Sequence, residues 1–276
     1  MTTYIFPGQG SQSKGMGREL FSAFPDLTKK ANDILGYSIE SLCLEDPLEQ
    51  LNHTQYTQPA LYIVNALSFL KADKKPAYLA GHSLGEYNAL FAADTFDFEA
   101  GLKLVKKRGE LMSQAMGGAM TAIIGLPIAT IQEILSHHPD VSIANYNSHT
   151  QTVISGLKSP VEKTHPLFEH AGAKMLVPLK VSGAFHSPCM AAAQQEFEKF
   201  LETFTFNAPQ IPVIANITAK PYENNNIAPY LAKQMTQPVR WTETIEYLLA
   251  QGEIECEEIG PGKVLTGLVK RIKNGS

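Results

Sequence analysis

Pro76-Ala-Tyr-Leu-Ala-Gly-His-Ser-Leu-Gly-Glu-Tyr-Asn-Ala-Leu90 opens on a short apolar stretch, turns on Gly81-His82-Ser83-Leu84-Gly85, and continues into alanine- and leucine-rich sequence as far as Ala93. Residues 76–80 read as a strand and 84–93 as a helix. The pentapeptide G-x-S-x-G therefore stands at a strand-to-helix turn, the context in which it presents a nucleophile. A serine there takes strained backbone angles, the flanking glycines remove clashes, and the hydroxyl projects into a cleft. The N–H of Leu84, at the helix start, can donate to an oxyanion. The plainer reading is a turn with a serine helix cap.

Working outward, Tyr4-Ile5-Phe6 closed by Pro7-Gly8 predicts a buried strand and a loop. Leu20, Phe21, Phe24, Leu27 and Ala31 recur at helical spacing and predict a helix over 18–35. Thr57 opens a second helix reaching Leu70, with Pro59 in its first turn. Residues 97–116 form another. Strands alternating with helices predict an α/β fold with a largely parallel sheet covered on both faces. From Ala119 the pattern changes to strands at 119–125, 141–145, 150–155 and 174–181, with helices at 128–136 and 160–171. That β-α-β-β-α-β order is the ferredoxin-like unit. It predicts a small domain at 119–183 inserted into a large domain formed by 1–118 and 184–276. Helices at 191–204, 242–251 and 264–272 and strands at 212–216 and 254–259 complete the large domain.

The chain has 276 residues, enough for one large domain or a domain with an insert. Its 23 basic and 27 acidic residues give a net charge of −4, and no basic stripe stands out to meet phosphates. This argues against nucleic acid as a partner. The start lacks a charged segment followed by an apolar one, and no run of 18 apolar residues occurs, so neither a secretory signal nor a membrane helix is expected. Cys43, Cys189 and Cys256 are widely spaced without a CxxC pair. Reduced thiols, a cytoplasmic setting and no bound metal are the expectation.

A nucleophilic serine needs a base. Of the eight histidines, His82 adjoins the serine and reads as structural, while His137, His138, His165 and His170 read as solvated. His53 and His149 fall in loops. His186 lies in Ser182-Gly-Ala-Phe-His-Ser-Pro188, where the chain returns to the large domain. Serine before histidine is the chain order of α/β-hydrolases. By spacing alone, a base and a core histidine remain open. Asp94, Asp97 and Asp140 sit at helix borders or in loops, so a Ser–His dyad oriented by a carbonyl or amide is the working arrangement.

Phe6-Pro-Gly-Gln-Gly-Ser-Gln12 follows the first strand. A dinucleotide fingerprint fails at Ser13, and a Walker loop fails at Gly15-Met16. The better reading is a loop whose glycines bring the Gln9 N–H to a reacting oxygen near Ser83. Arg108 interrupts the apolar stripe Leu104, Val105, Leu111, Met112. Burying it is costly unless it meets an anion. An internal ion pair and snorkelling are the bland alternatives. A bidentate clamp for a substrate carboxylate is the functional one.

Together with Thr57-Gln-Pro-Ala60, Lys107-Arg-Gly-Glu-Leu-Met112, Gly183-Ala-Phe-His-Ser187 and Gly260-Pro-Gly-Lys-Val-Leu-Thr-Gly267, these motifs resemble the malonyl-CoA:acyl carrier protein transacylase family over nearly the whole chain. The resemblance implies an α/β-hydrolase-like core with a ferredoxin-like insert. It implies Ser83 as the acylated nucleophile, His186 as its base, the N–H groups of Gln9 and Leu84 as oxyanion donors, and Arg108 as the carboxylate clamp. The Gln234 carbonyl would orient His186. Phe185, filling the space an α-methyl needs, would favour malonyl over methylmalonyl. Malonyl-CoA and an acyl carrier protein are the implied substrates, with phosphopantetheine on the carrier and no cofactor or metal. Leu35-Gly-Tyr-Ser38, Gln58–Ala66 and Ala92–Phe98 look closer to freestanding acyltransferases serving polyketide synthase modules in trans than to fatty-acid housekeeping enzymes. An acyl hydrolase clearing stalled chains and a non-catalytic carrier-docking module are the competing readings.

Overall fold

The computed structural model describes residues 1–181, 183–223 and 225–275. The chain begins with β1 (Thr2–Phe6), α1 (Arg18–Ala23), α2 (Pro25–Leu35), α3 (Ile39–Leu44), α4 (Thr54–Lys71), β2 (Tyr78–Gly81), α5 (Gly85–Ala92) and α6 (Phe98–Gln114). A second group comprises β3 (Gly118–Ile124), α7 (Ile128–Ser136), β4 (Val141–Ser148), β5 (Gln151–Leu157), α8 (Lys158–His170) and β6 (Met175–Pro178). The chain closes with α9 (Ala191–Leu201), β7 (Val213–Ile214), α10 (Ile227–Lys233), α11 (Trp241–Ala250), β8 (Glu255–Glu258) and α12 (Val264–Lys273).

The first sheet has the order β7-β2-β1-β8 and its strands run parallel. Tyr4, Ile5 and Phe6 are wholly buried, because helices cover both faces. The pairing of Phe6 with Gly81 sets the geometry of the sheet's carboxyl edge. It makes the loop after β1 and the turn after β2 leave the sheet side by side, at the edge where such sheets build their sites.

The second sheet is antiparallel, in the order β4-β5-β3-β6, with α7 and α8 in the β-α-β-β-α-β sequence. Ile123, Ile131, Ile154, Val161 and Phe168 give it a core of its own. Met120, Ala122 and Val153, from alternate positions of β3 and β5, join the main core instead. Main-chain bonds from Tyr146 to Val239 and from Val239 to Ala144 fix β4 to the segment that precedes α11.

Several elements differ from the expectation. The helix over 18–35 is two helices, broken at Phe24, which leaves the helical region with φ −128° and ψ 60°. A residue before proline is pushed out of that region, and Pro25 suits the first position of the next helix. The helix expected from Thr57 begins at Thr54, so Pro59 is inside it, where its nitrogen cannot donate to the Gln55 carbonyl. The strand expected at 212–216 shrinks to Val213–Ile214, and helices α3 and α10 arise where none was expected.

Candidate active site

Ser83 lies at the turn between β2 and α5 with φ +51°, a backbone region sparsely used by residues other than glycine. The surroundings enforce it. A Cβ on Gly81 would stand 2.0 Å from the Gly85 carbonyl, and one on Gly8 would stand 2.3 Å from the His82 carbonyl oxygen. Only glycine lets the turn close and the Pro7-Gly8-Gln9 loop press against it. The Ser83 N–H donates to Asn216 Oδ1 at 2.7 Å, and Asn216 Nδ2 donates to the Gly81 carbonyl at 2.6 Å. The elbow is thus held from both sides.

Ser83 Oγ lies 2.8 Å from His186 Nε2. The other ring nitrogen, Nδ1, faces two carbonyls, Gln234 at 2.7 Å and Gln237 at 3.2 Å. Two acceptors at Nδ1 fix the proton there and leave Nε2 as the acceptor for the serine hydroxyl. Burial, with the Arg108 guanidinium next, pushes the His186 pKa down to about 3, so the ring is neutral at ordinary pH. Ser182, the first residue of the segment that carries His186, lies outside the described residues.

Arg108 is 1 % exposed in the middle of α6. No carboxylate pairs directly with it among the described residues. Its Nη1 donates to Gln58 Oε1 at 2.7 Å, and its Nη2 donates to Ser83 Oγ at 3.1 Å and to Gln234 Oε1 at 2.9 Å. The Tyr87 ring lies beside the guanidinium, 5.6 Å from its carbon. A buried cation whose neighbours are neutral acceptors is suited to receive an anion.

Gln9, Ser83, Leu84, Arg108, Phe185 and His186 line one cleft of about 510 Å³ between the two sheets. Gln234 stands behind it and touches three of these groups. Among the described residues, the N–H groups of Gln9 and Leu84 donate to no protein acceptor. His82 lies between the Trp241 ring and Asn147 Oδ1 at 2.9 Å, pointing away from the serine hydroxyl. His165, expected to be solvated, is half-buried 3.0 Å from Thr121 Oγ1. His149 pairs with Glu246.

Sequence reasoning missed Gln58, Glu86, Asn216 and Tyr222. Glu86 is buried beneath the elbow, accepting from the Asn216 N–H at 2.8 Å, from the Tyr222 hydroxyl at 2.7 Å and from Gln234 Nε2. Burial pushes its carboxyl up to about 7, against those three donors and the Arg108 guanidinium, which pull it down. The signal was available: a carboxylate in an apolar helix poses the same problem as Arg108 in its stripe.

Known proteins are similar to this chain in sequence and fold. The acyl transferase domain family matches residues 3–273. The chain is 56% identical to the polyketide biosynthesis malonyl CoA-acyl carrier protein transacylase BaeC of Bacillus velezensis, over 99% of this chain and 97% of that one. It is 41% identical to the malonyl CoA-acyl carrier protein transacylase of Escherichia coli, over 98% of this chain and 92% of that one. A solved malonyl-transacylase, in complex with its type II polyketide acyl-carrier protein, superposes with a TM-score of 0.94 at 42% identity, covering 99% of this chain and 93% of the other.

Proposed function

We infer, from the premise that the chain belongs to the acyl transferase domain family, that it transfers a malonyl group from malonyl-CoA to the phosphopantetheine thiol of an acyl carrier protein. The observation that carries this reading is the position of Ser83 Oγ, between His186 Nε2 at 2.8 Å and Arg108 Nη2 at 3.1 Å. A base and a buried cation meet at one nucleophile. That combination suits an acyl group with its own carboxylate.

In this scheme the reaction is ping-pong. Ser83 Oγ attacks the thioester carbon as its proton passes to His186 Nε2, while the N–H groups of Gln9 and Leu84 hold the oxyanion. The C–S bond breaks, and the CoA sulfur leaves with the proton from His186. The carrier thiol then gives its proton to His186, attacks the malonyl ester of Ser83, and the serine leaves with that proton. Arg108 holds the malonyl carboxylate through both halves, and the Gln234 carbonyl keeps Nδ1 protonated. Every step uses groups of the chain and its two substrates, so the scheme calls for no metal or cofactor.

The enzyme supplies malonyl units in trans to polyketide synthase carriers, a role supported by the greater identity to the polyketide relative than to the Escherichia coli one. The Arg108 cluster has no use in a hydrolase acting on uncharged stalled chains. We read the architecture as an α/β-hydrolase-like core with a ferredoxin-like insert at 119–183, a reading supported by the order of the two sheets. No helix among the described residues is long and apolar enough to cross a membrane. Work on malonyl-CoA and a holo carrier suits a cytoplasmic enzyme.

The test is intact-protein mass after brief exposure to malonyl-, methylmalonyl- and acetyl-CoA, followed by a holo carrier protein. A malonyl adduct that moves to the carrier is the expected result. An adduct lost to water, or formed as readily from acetyl-CoA, favours the hydrolase. A Ser83→Ala variant that still takes up malonyl removes Ser83 from its role.

A further inference from the structure

Glu86 follows Ser83 by three residues and lies outside the set that lines the cleft, yet its carboxylate decides which way a neighbouring amide points. Oε1 accepts from the Asn216 N–H and the Tyr222 hydroxyl, and Oε2 accepts from Gln234 Nε2. The same Nε2 donates to the Ser83 carbonyl at 2.9 Å, while Gln234 Oε1 receives Arg108 Nη2 at 2.9 Å. Two acceptors stand at one end of this amide and a donor-only guanidinium at the other. Turning the amide over sets donor against donor at Arg108 and acceptor against acceptor at Glu86 and Ser83.

We propose that Glu86 is a positioning residue for acyl selection: by presenting acceptors alone it fixes the polarity of the Gln234 amide, whose oxygen then holds Arg108 Nη2 where a substrate carboxylate is read. The chain of contacts meets Ser83 at its main-chain carbonyl and, through Arg108 Nη2, at Oγ, but it leaves the base alone. The bond from His186 to Ser83 and the Gln234 main-chain carbonyl on His186 do not depend on which way the side-chain amide faces. Loss of Glu86 polarity therefore acts on recognition of the malonyl carboxylate more than on ester chemistry at Ser83. The inference rests on the reading of Arg108 as the carboxylate clamp.

The test is Glu86→Gln, assayed at about pH 8, above the value near 7 to which burial raises this carboxyl. The substituted amide keeps a carbonyl for Asn216 and Tyr222 and sets an NH2 group against Gln234 Nε2. The KM for malonyl-CoA is expected to rise roughly 10- to 100-fold, the scale of a buried donor left facing a donor. Acylation of Ser83 by the uncharged ester p-nitrophenyl acetate should fall by less than about threefold. Gln234→Met removes the amide and should raise the malonyl KM to a similar extent, and E86Q/Q234M should raise it no further. Equal losses with both substrates, an unchanged malonyl KM, or independent effects of the two substitutions would each overturn the proposal. If E86Q proves too unstable to assay, Q234M decides alone, an unchanged malonyl KM counting against the relay. Arg108→Ala is the reference. If it fails to separate malonyl-CoA from the uncharged ester, the clamp reading has failed; if it separates them and E86Q does not, only the role of Glu86 has.

Discussion

Arg108 donates from Nη2 to the hydroxyl oxygen of Ser83 at 3.1 Å, so the cation proposed to read the substrate also holds the proposed nucleophile. Three of the five guanidinium N–H donors are committed, to Gln58, Ser83 and Gln234. A carboxylate that takes a fork of two donors has to displace at least one of these partners. Displacing Ser83 releases an oxygen lone pair for attack while the His186 bond remains. Acyl groups without a carboxylate leave the serine tied to the arginine. Arg108→Ala is accordingly expected to lose roughly 100-fold or more in kcat/KM for malonyl-CoA, the scale of truncating one partner of a buried charged contact. Acetyl-CoA should change by less than about tenfold, because the lost tether offsets the lost charge. Parallel losses for the two thioesters, in acyl-enzyme formation followed by mass, would rule the clamp out.

The same guanidinium acts on the base. After burial, it is the largest influence holding the His186 pKa low. A bound carboxylate neutralises that charge and returns basicity to His186 at the moment of attack. Arg108→Ala should therefore raise the His186 pKa toward its ordinary value of 6.5. Ring-proton chemical shifts followed with pH give the comparison, and an unchanged His186 titration in the variant would show that burial alone sets the value.

Stability should carry opposing signatures of two buried groups. Glu86 titrates at about 7 in the folded protein against an ordinary 4.5, so between these values the folded chain holds a proton the unfolded chain has lost. Its contribution falls as pH rises through that window. His186 titrates at about 3 against an ordinary 6.5, so its contribution falls as pH drops below 6.5. Between 4.5 and 6.5 the two slopes oppose, each at most about 1.4 kcal/mol per pH unit. Glu86→Gln should make stability climb more steeply with pH in that window, and His186→Ala should make it fall. Denaturant midpoints across the window test the sign, and equal slopes in wild type and both variants would refute it.

The parts that sequence made legible are those where one residue type is forced. Glycines at 8, 81 and 85 and a serine at 83 mark a tightly packed turn, and Arg108 in an apolar stripe demands polar partners, which Gln58, Ser83 and Gln234 supply. The tertiary neighbours were less visible. Gln58 sits in an ordinary helix, and only the crossing of α4 and α6 brings it to Arg108. Asn216 follows a strand of two residues, too short for an alternating pattern, and reaches the elbow through sheet order. Gln234 enters through a main-chain carbonyl, which any residue carries, so its type gave no hint of its contact with His186. The break at Phe24 was legible in principle, since Pro25 forbids the continuous helix that apolar spacing suggested.

The oxyanion reading of Gln9 is open to a backbone test, because an N–H cannot be mutated but its position can be moved. A methyl on Gly8 would lie 2.3 Å from the His82 carbonyl oxygen, which belongs to the tight elbow and cannot yield. In Gly8→Ala the loop itself has to withdraw, taking the next N–H with it. Loss of one oxyanion donor costs roughly 100- to 1000-fold in kcat. The KM for malonyl-CoA should move far less, since Arg108 and its partners are on other elements. A variant with normal kcat would place the oxyanion elsewhere.

Phe185 decides how much room the cleft leaves beside the base. Its ring is 5 % exposed and packs so closely on Gly183 that a Cβ there would stand 2.5 Å from Cε1. Gly183 backs the ring on one side, so an α-methyl on the acyl group meets the ring as a wall next to His186. Phe185→Ser removes that wall. The preference for malonyl over methylmalonyl should fall by roughly 10- to 200-fold at most, because a single methyl in an apolar pocket is worth only ~1–3 kcal/mol. The variant should remain folded. The ring borders a cleft rather than a sealed core, so the space it leaves admits water, and the loss of stability should lie at or below the ~3–5 kcal/mol of a large-to-small change in a closed core. Competition between the two CoA esters for Ser83, read as the ratio of adduct masses, isolates the effect from any general loss of rate. If the ratio is unchanged while total acylation falls, the ring supports the His186 turn, and selection against the α-methyl lies with other residues of the cleft.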